Sequence, residues 1–360
     1  MPKTNVEPRH VIYLYEDSKT AQYRYRVWNP FWTCKEGSEK WRSIIFNIDE
    51  IEELRKKLST AEILIIERQT AKNNIIPNLI KKAKQLGIKV VFDLDDLIFN
   101  YRDIKLIKSS TCEKSLLYWA GYIWGIRRIA KRADAFSATN NFLANKIKRT
   151  FGKPVAIISN SLNAEQILVS EQYLKSQKPH DGFVLGYFSG SPTHAKDFRL
   201  IEPDIVKFLE KHEDAKLSIV GYMNFSPRAK ALLESSRIEF KKPVDFKQLQ
   251  KEIAEVDVNL APLVINDFTN CKSELKFFEA AVVETTTIAS PTYAFKNAIE
   301  DGKTGFLAQP SEWYDKLEYL YAHPKENRQI ALAAKKYCLE NYHGKKFLKE
   351  VEAAYDAISQ

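Results

Sequence analysis

The strongest constraint on this chain is a regular exchange between short β-branched apolar runs and longer amphipathic stretches, which halts once and then restarts. Residues 10–15 (HVIYLY), 62–66, 89–93, 135–137 and 155–159 read as strands. Between them, residues 48–58, 75–86, 112–132 and 140–150 carry helical periodicity. Strands spaced by helices pair in parallel through crossover connections, so the pattern predicts a doubly wound α/β sheet. Residues 163–182 carry no strong period, contain Pro179 and Gly182, and read as a linker. Strands then resume at 184–188, 216–220, 237–240, 256–260 and 287–290, with helices at 197–211, 227–235, 246–254 and 272–283. A last helical block spans 310–360. The 360 residues exceed one ordinary core, since domains usually hold about 100–200 residues. The expected architecture is two doubly wound α/β domains, 1–175 and 176–338, facing across a cleft, with a terminal helix, 339–360, packing back toward the N-terminal domain. Ligands of such sheets bind beyond the carboxyl ends of the strands, so the cleft is the expected site.

Composition excludes several classes. With 44% apolar and 28% charged residues the chain can bury a sizeable core, which argues against disorder. The opening MPKTNVEPRH lacks an apolar signal-peptide core. The longest uncharged apolar run, residues 115–126, falls well short of the roughly 20 residues that span a bilayer. Cys34, Cys112, Cys271 and Cys338 show no paired spacing and read as reduced thiols of a cytoplasmic protein. Charge is uneven: residues 1–175 hold 30 Lys and Arg against 19 Asp and Glu, a net of +11, while 176–360 hold 25 against 27, a net of −2. The basic half faces an anionic partner, or forms a solvated basic surface.

The densest chemistry lies in residues 270–290, NCKSELKFFEAAVVETTTIAS. Lys272, Ser273, Glu274, Lys276 and Glu279 open an amphipathic helix, and Lys272, Lys276 and Glu279 share one face. Lysines beside a helix start suit a phosphate, and a carboxylate one turn on suits sugar hydroxyls. A surface helix with ordinary ion pairs is the competing reading. Residues 186–198, GYFSGSPTHAKDF, pass from a strand through Ser189, Gly190 and Ser191 to His194, Lys196 and Asp197. Small residues let the backbone approach a phosphate, and Lys196 adds charge. His194 either donates to a phosphate or sugar oxygen or is structural. In the basic half, Arg24 and Arg26 sit among aromatic residues, too close in sequence to share a helix face, and Arg68 ends a strand. Asp93, Asp95 and Asp96 end another, where three close carboxylates invite a metal reading, hydroxyl binding or loop capping. Residues 115–132 combine Trp119, Tyr122 and Trp124 with Arg127, Arg128, Lys131 and Arg132, which fits either an interfacial helix or a core helix with a basic end.

The segment from Asn270 through the 301–307 run DGKTGFL resembles the donor-site motif of retaining GT-B glycosyltransferases of family 4, whose signature is EA-x-x-x-G-x-P-x-I-A-S. By that match Glu279 is the ribose ligand. The family's sugar-contacting glutamate falls eight positions earlier, where this chain has Cys271; Glu284 stands in place of its Gly and Thr286 in place of its Pro. The sugar contact then passes to Asn270, Glu274 or loop backbone. KSELKFFEA, YRYRVWN and VVFDLDD resemble a branch found in bacterial surface-polysaccharide synthesis.

The resemblance implies a GT-B fold and transfer, with retention, from a nucleotide-diphosphate sugar to a glycan or lipid-linked glycan. Lys196, Lys276 and Glu274 are the expected catalytic groups. Glu279, Lys272, Ser273, Ser189, Gly190, Ser191, His194 and Asn270 are expected to bind the donor, and Arg24, Arg26, Arg68, Asp93 and Asp95 to face the acceptor. No metal and no other cofactor is expected, nor is nucleic acid. The chain is expected in the cytoplasm, peripheral to the inner face of the membrane, with residues 115–132 meeting its anionic surface. A degenerate GT-B subunit supporting a partner, or a GT-B sugar-nucleotide epimerase, are the alternatives.

Overall fold

A computed structural model describes the chain apart from residues 1–6, 72, 112–113, 177–180, 191–194 and 224, with the side chain of residue 195 also left out. The chain forms two units. The first comprises Met1–Asn163, Cys271–Ser273 and Tyr342–Gln360, and the second Ala164–Asn270 and Glu274–Asn341.

The first unit is built on β1 (Arg9–Tyr15), β2 (Trp41–Asn47), β3 (Ile63–Ile66), β4 (Lys89–Leu94), β5 (Ala135–Ala138) and β6 (Val155–Ile157). They form one parallel sheet in the order β2-β1-β3-β4-β5-β6. The chain lays β2 on one side of β1 and then crosses to lay β3 on the other, so the order reverses at β1/β3. All four residues of β3 are buried, as a strand covered on both faces requires. Sequence periodicity misses β2. It is an edge strand whose residues, Trp41 apart, are exposed or only half-buried, so it shows neither clean alternation nor a fully apolar run.

The last helix, Gly344–Ser359, packs on this unit through Phe347, Val351, Ala354, Tyr355 and Ile358. These share one core with Val11, Tyr13, Trp41, Ile63 and Ile65. The Tyr13 and Tyr355 hydroxyls lie 2.6 Å apart, and the Trp41 and Tyr355 rings meet edge-on at 5.3 Å. Burial of a large apolar side chain is worth about 1.5–3 kcal/mol, so the four larger ones, Phe347, Val351, Tyr355 and Ile358, hold the helix firmly.

The second unit contains β7 (Phe183–Ser189), β8 (Ala215–Gly221), β9 (Ile238–Lys241), β10 (Val258–Ala261), β11 (Thr286–Ala289) and β12 (Phe306–Leu307). Its parallel order, β12-β11-β10-β7-β8-β9, is the dinucleotide-fold arrangement read outward from β7. The stretch read as a linker is instead largely helix Ala164–Ser176, which belongs to this unit. Its buried residues are polar, Gln166 and Ser170, with Ser170 Oγ donating to Gln250 Oε1 at 3.0 Å; Leu168 is exposed. A helix that docks through polar groups leaves no hydrophobic period to read.

Candidate functional site

In the second unit, β8 and β10 leave opposite sides of β7, so the crevice outside the carboxyl end of β7 is where a doubly wound sheet takes its ligand. Ser189 ends β7 and is buried; Gly190 is exposed, with nothing within 4 Å of where a Cβ would stand. Gly221 ends β8 with φ +120°, and a Cβ there would lie 1.9 Å from the Ser189 carbonyl oxygen. Only glycine permits that approach. On the other flank, Val264 N–H donates to Asp197 Oδ1 at 3.0 Å, tying the loop after β10 to the short helix Ala195–Phe198. Asn270 Oδ1 accepts from Tyr293 N–H at 2.8 Å and Ser290 Oγ from Leu263 N–H at 2.9 Å, which joins the loops after β10 and β11.

The helix expected from Lys272 is shorter, Leu275–Ala281, with Glu274 at its N-cap. Phe277, Phe278, Ala280 and Ala281 bury it, and Asn259 of β10 donates to the Lys276 carbonyl at 2.9 Å and to Thr287 Oγ1 of β11 at 3.0 Å. Lys276 Nζ stands 4.6 Å from the centroid of the Tyr187 ring of β7. The Tyr187 phenol is pushed well up, first by burial and then by the Asp197 carboxylate. Glu279 is buried one turn after Lys276, and Lys196 is exposed. Glu274 sits near Tyr337 and Cys338; burial raises both of those acids and the Glu274 charge adds to it.

Ser189, Gly190, Lys196, Asn270, Glu274, Lys276 and Glu279 thus belong to this unit, while Lys272 and Ser273 belong to the first. There Lys272 Nζ lies 3.7 Å from Asp96 Oδ1, Ser273 Oγ accepts from Asn160 Nδ2 at 2.7 Å, and Asn140 Nδ2 donates to the carbonyls of Cys271 and Lys272. Ser191 and His194 lie outside the described residues.

The departures from the family pattern have local explanations. Glu284 takes φ +60°, the left-handed conformation that glycine adopts freely after a helix. Its carboxylate is held by Arg328 and by Lys335 at 2.8 Å; burial would raise its pKa, but these cations bring it below the usual range. Thr286 opens β11 fully buried, its hydroxyl donating to the Asn327 carbonyl at 3.0 Å. In the 301–307 run, Gly302 has φ +75° and Asp301 Oδ1 accepts from Leu307 N–H at 2.8 Å, so the motif shapes the turn into β12.

In the first unit the expected acceptor-facing set divides. Arg26 and Asp93 are corrected: each is 2% exposed, and they saturate each other. Arg26 makes bonds of 3.0 and 2.7 Å to the two Asp93 oxygens and also donates to the Ile158 carbonyl and Asn160; Ser137 Oγ donates to Asp93 at 2.6 Å. This pair is a buried structural tie. Arg24 Nη2 donates to the neighbouring Tyr25 hydroxyl at 3.1 Å.

Arg68 and Asp95 belong to a different, partly open cluster. Arg68 Nη1 lies 3.0 Å from Asp95 and 2.8 Å from Asp96, and Nη2 donates to Gln22 at 2.5 Å. Burial raises the Asp95 carboxyl; the same burial on Asp96 is outweighed by Lys272 and Arg68, which lower it. Glu67 is pushed up to about 8 by burial and then by Asp95 and Asp93, with only partial opposition from Arg68. Sequence reasoning missed Glu67, although its place after a continuous apolar strand was the available signal. Arg68 also lines a pocket of about 430 Å³ with Glu16, Gln69, Tyr118, Tyr122 and Trp124.

Helix Leu116–Ala130 carries those aromatic residues. It buries Trp119, Ile123, Ile126 and Ile129 and leaves Leu116, Leu117 and Trp124 exposed. Arg127 donates to the Phe99 carbonyl and Arg128 to the Ala71 carbonyl. Among the described residues no helix is long and apolar enough to cross a membrane, and no group of three or more His, Cys, Asp or Glu side chains could hold a metal ion. A pocket of about 510 Å³ in the second unit lies by the amino ends of β7 and β8, at Val184 and Lys216, away from the crevice just described.

The sequence of this second sheet decides the family of its domain. Residues 183–323 match glycosyl transferases group 1. Among solved structures, Anabaena HepE, crystallised with UDP and glucose, is similar at 12% identity over 98% of this chain and 99% of its own, with a TM-score of 0.61. A Rickettsia africae glycosyltransferase matches at 13% identity over 98% and 99%, TM-score 0.64. Sucrose-phosphate synthase of Thermosynechococcus elongatus matches at 12% over 97% and 99%, TM-score 0.64. No curated protein matches the chain by sequence. The fold is GT-B, and the chain, by its group 1 domain, is a glycosyltransferase.

Proposed function

We propose that the chain moves a sugar from a nucleotide-diphosphate sugar to a hydroxyl of a glycan or lipid-linked glycan, with retention, in bacterial surface-polysaccharide synthesis. The observation that carries this reading is Glu279, buried one turn after Lys276 in the helix that follows β10, within the group 1 domain. The HepE structures hold UDP, UDP-glucose, or UDP with glucose, and a UDP-sugar is accordingly the first donor to try here.

In this reading the Glu279 carboxylate accepts from the ribose hydroxyls. The Ser189–Gly190 backbone approaches the diphosphate. Lys196 and Lys276 meet the charge that grows on the leaving β-phosphate as the glycosidic bond breaks, and preorganised cations at that point lower the barrier. The leaving phosphate takes the acceptor proton on the same face, and no side-chain base is required. Lys114, Leu116 and Leu117, beside and on the exposed amino end of helix Leu116–Ala130, suit contact with an anionic membrane surface. Co-sedimentation with anionic vesicles at low salt tests that contact; no binding would remove it.

Calorimetry with UDP tests the donor site. A charged hydrogen bond is worth about 1.5–3 kcal/mol, so Glu279→Ala is expected to weaken UDP roughly 10- to 100-fold. An unchanged affinity would sink the assignment.

A further inference from the structure

In the first sheet the strand order reverses between β1 and β3, and the pocket of about 430 Å³ opens just outside the carboxyl ends of those two strands. Glu16 follows β1, while Arg68, Gln69 and Thr70 follow β3; together they supply a polar floor. Tyr118, Tyr122 and Trp124 supply an aromatic wall. The Tyr118 and Tyr122 rings stack on each other, with centroids 6.3 Å apart and planes 23° from parallel. Wall and floor are fixed to each other: Ala71 N–H donates to the Gly125 carbonyl at 3.2 Å, and a Cβ on Gly125 would meet Thr70 Cβ at 2.9 Å. Burial raises the Tyr122 phenol, and the charges of Arg68, Asp95 and Asp96 act on it.

Few ligands match both surfaces. A pyranose has a C–H face that packs on aromatic rings and a rim of hydroxyls that both donate and accept. The floor offers a guanidinium donor, an amide and a carboxylate, the mixed set such a rim needs. A phosphate matches worse, because the Arg68 charge is already shared between Asp95 and Asp96, and Glu16 adds another negative group.

We infer that this pocket holds one uncharged pyranose ring of the acceptor, packed on the aromatic wall of Tyr118, Tyr122 and Trp124 with its hydroxyls on Arg68, Gln69 and Glu16. The word acceptor rests on the transferase reading above; the pocket's preference for a sugar ring does not. Tyr118 and Trp124 are about half exposed, so their removal tests contact and not folding.

The experiment is saturation-transfer NMR on the full chain with the methyl pyranosides of glucose, galactose, mannose and N-acetylglucosamine, repeated with inorganic phosphate added as a competitor. At least one pyranoside is expected to receive saturation. Tyr118→Ala or Trp124→Ala should weaken it about tenfold, the scale of one lost aromatic contact, and Tyr122→Phe, which keeps the ring, should weaken it less than Tyr122→Ala. No pyranoside signal, displacement of the pyranoside by millimolar phosphate, or signals indifferent to Tyr118→Ala and Trp124→Ala would each overturn the inference. UDP calorimetry on the same variants should be unchanged. Loss of UDP binding by the unsubstituted chain would strike the donor reading and leave the sugar pocket standing.

Discussion

Replacing Glu67 by glutamine isolates the energetics of the carboxyl cluster at the end of β3. Burial and the neighbouring Asp95 and Asp93 carry the Glu67 carboxyl from 4.5 up to about 8. The folded chain therefore keeps this proton up to about pH 8, while the unfolded chain releases it above about 4.5. A raised acid favours the folded state fully below the unfolded pKa, and the advantage is lost as pH rises through the folded value. At 1.36 kcal/mol for each pH unit of that window, the wild-type chain loses roughly 4 kcal/mol between pH 4.5 and pH 8 on account of this side chain. Glutamine has the same shape and does not titrate. The stability difference between Glu67→Gln and wild type should therefore grow in the variant's favour by about 4 kcal/mol from pH 4.5 to pH 8.5, then level off. Five of the six tryptophans, Trp28, Trp32, Trp41, Trp119 and Trp124, lie in the first unit, so urea unfolding followed by tryptophan fluorescence reports on the unit concerned. Asp95 is pushed the same way, so the variant keeps a weaker slope at lower pH. A difference that stays constant within about 1 kcal/mol across that range would refute the argument, because it would mean that Glu67 titrates alike in both states.

Asp93→Asn should destabilise the first unit by about 3–5 kcal/mol in the same unfolding assay, since it leaves Arg26 charged and buried without its counter-ion. Gly221→Ala should cost the second unit at least about 2 kcal/mol and weaken UDP in calorimetry, because the new methyl group meets the Ser189 carbonyl. Glu284→Gly should fall within about 1 kcal/mol of wild type, and Glu284→Ala about 1 kcal/mol below it; alanine keeps the left-handed strain and loses the ion pairs, whereas glycine sheds both. Thermal melts of the two variants, side by side, check that order.

The parallel architecture was legible because strands such as Ile63–Ile66 are apolar throughout and alternate with amphipathic helices such as Ile75–Gln85. The elements that escaped are those stabilised without an apolar signature. Edge strand β2 has only one neighbour to satisfy, and helix Ala164–Ser176 docks by a Ser170–Gln250 hydrogen bond. Placement was legible where one short motif carries the residues, as Lys276 and Glu279 do on one helix. They were misread where the partner is remote. Arg26, flanked by aromatic residues after the first strand, looks like a ligand-facing arginine until Asp93, 67 positions later, is seen to neutralise it. The Gly-to-Glu change at 284 looks like damage to a binding motif until its φ shows that the family's glycine answers a backbone requirement.

The charge excess of the first half needs the same correction. A net of +11 over residues 1–175 points to an anionic partner, yet among the described residues that line the pocket at the β1/β3 reversal only Arg68 is a cation, and it is shared by two aspartates. Part of the remaining positive charge is engaged with the chain's own carbonyl groups. Arg127 serves Phe99, Arg128 serves Ala71, and Lys153 Nζ reaches the carbonyls of Ala130, Lys131 and Ala133 at 3.2, 2.8 and 2.5 Å. Cations that cap helix ends and loops stabilise the fold and are less available for a distant phosphate than their number implies. The pocket's own chemistry, aromatic with mixed hydrogen-bonding groups, is accordingly a better guide to what it holds than the charge of the half-chain around it.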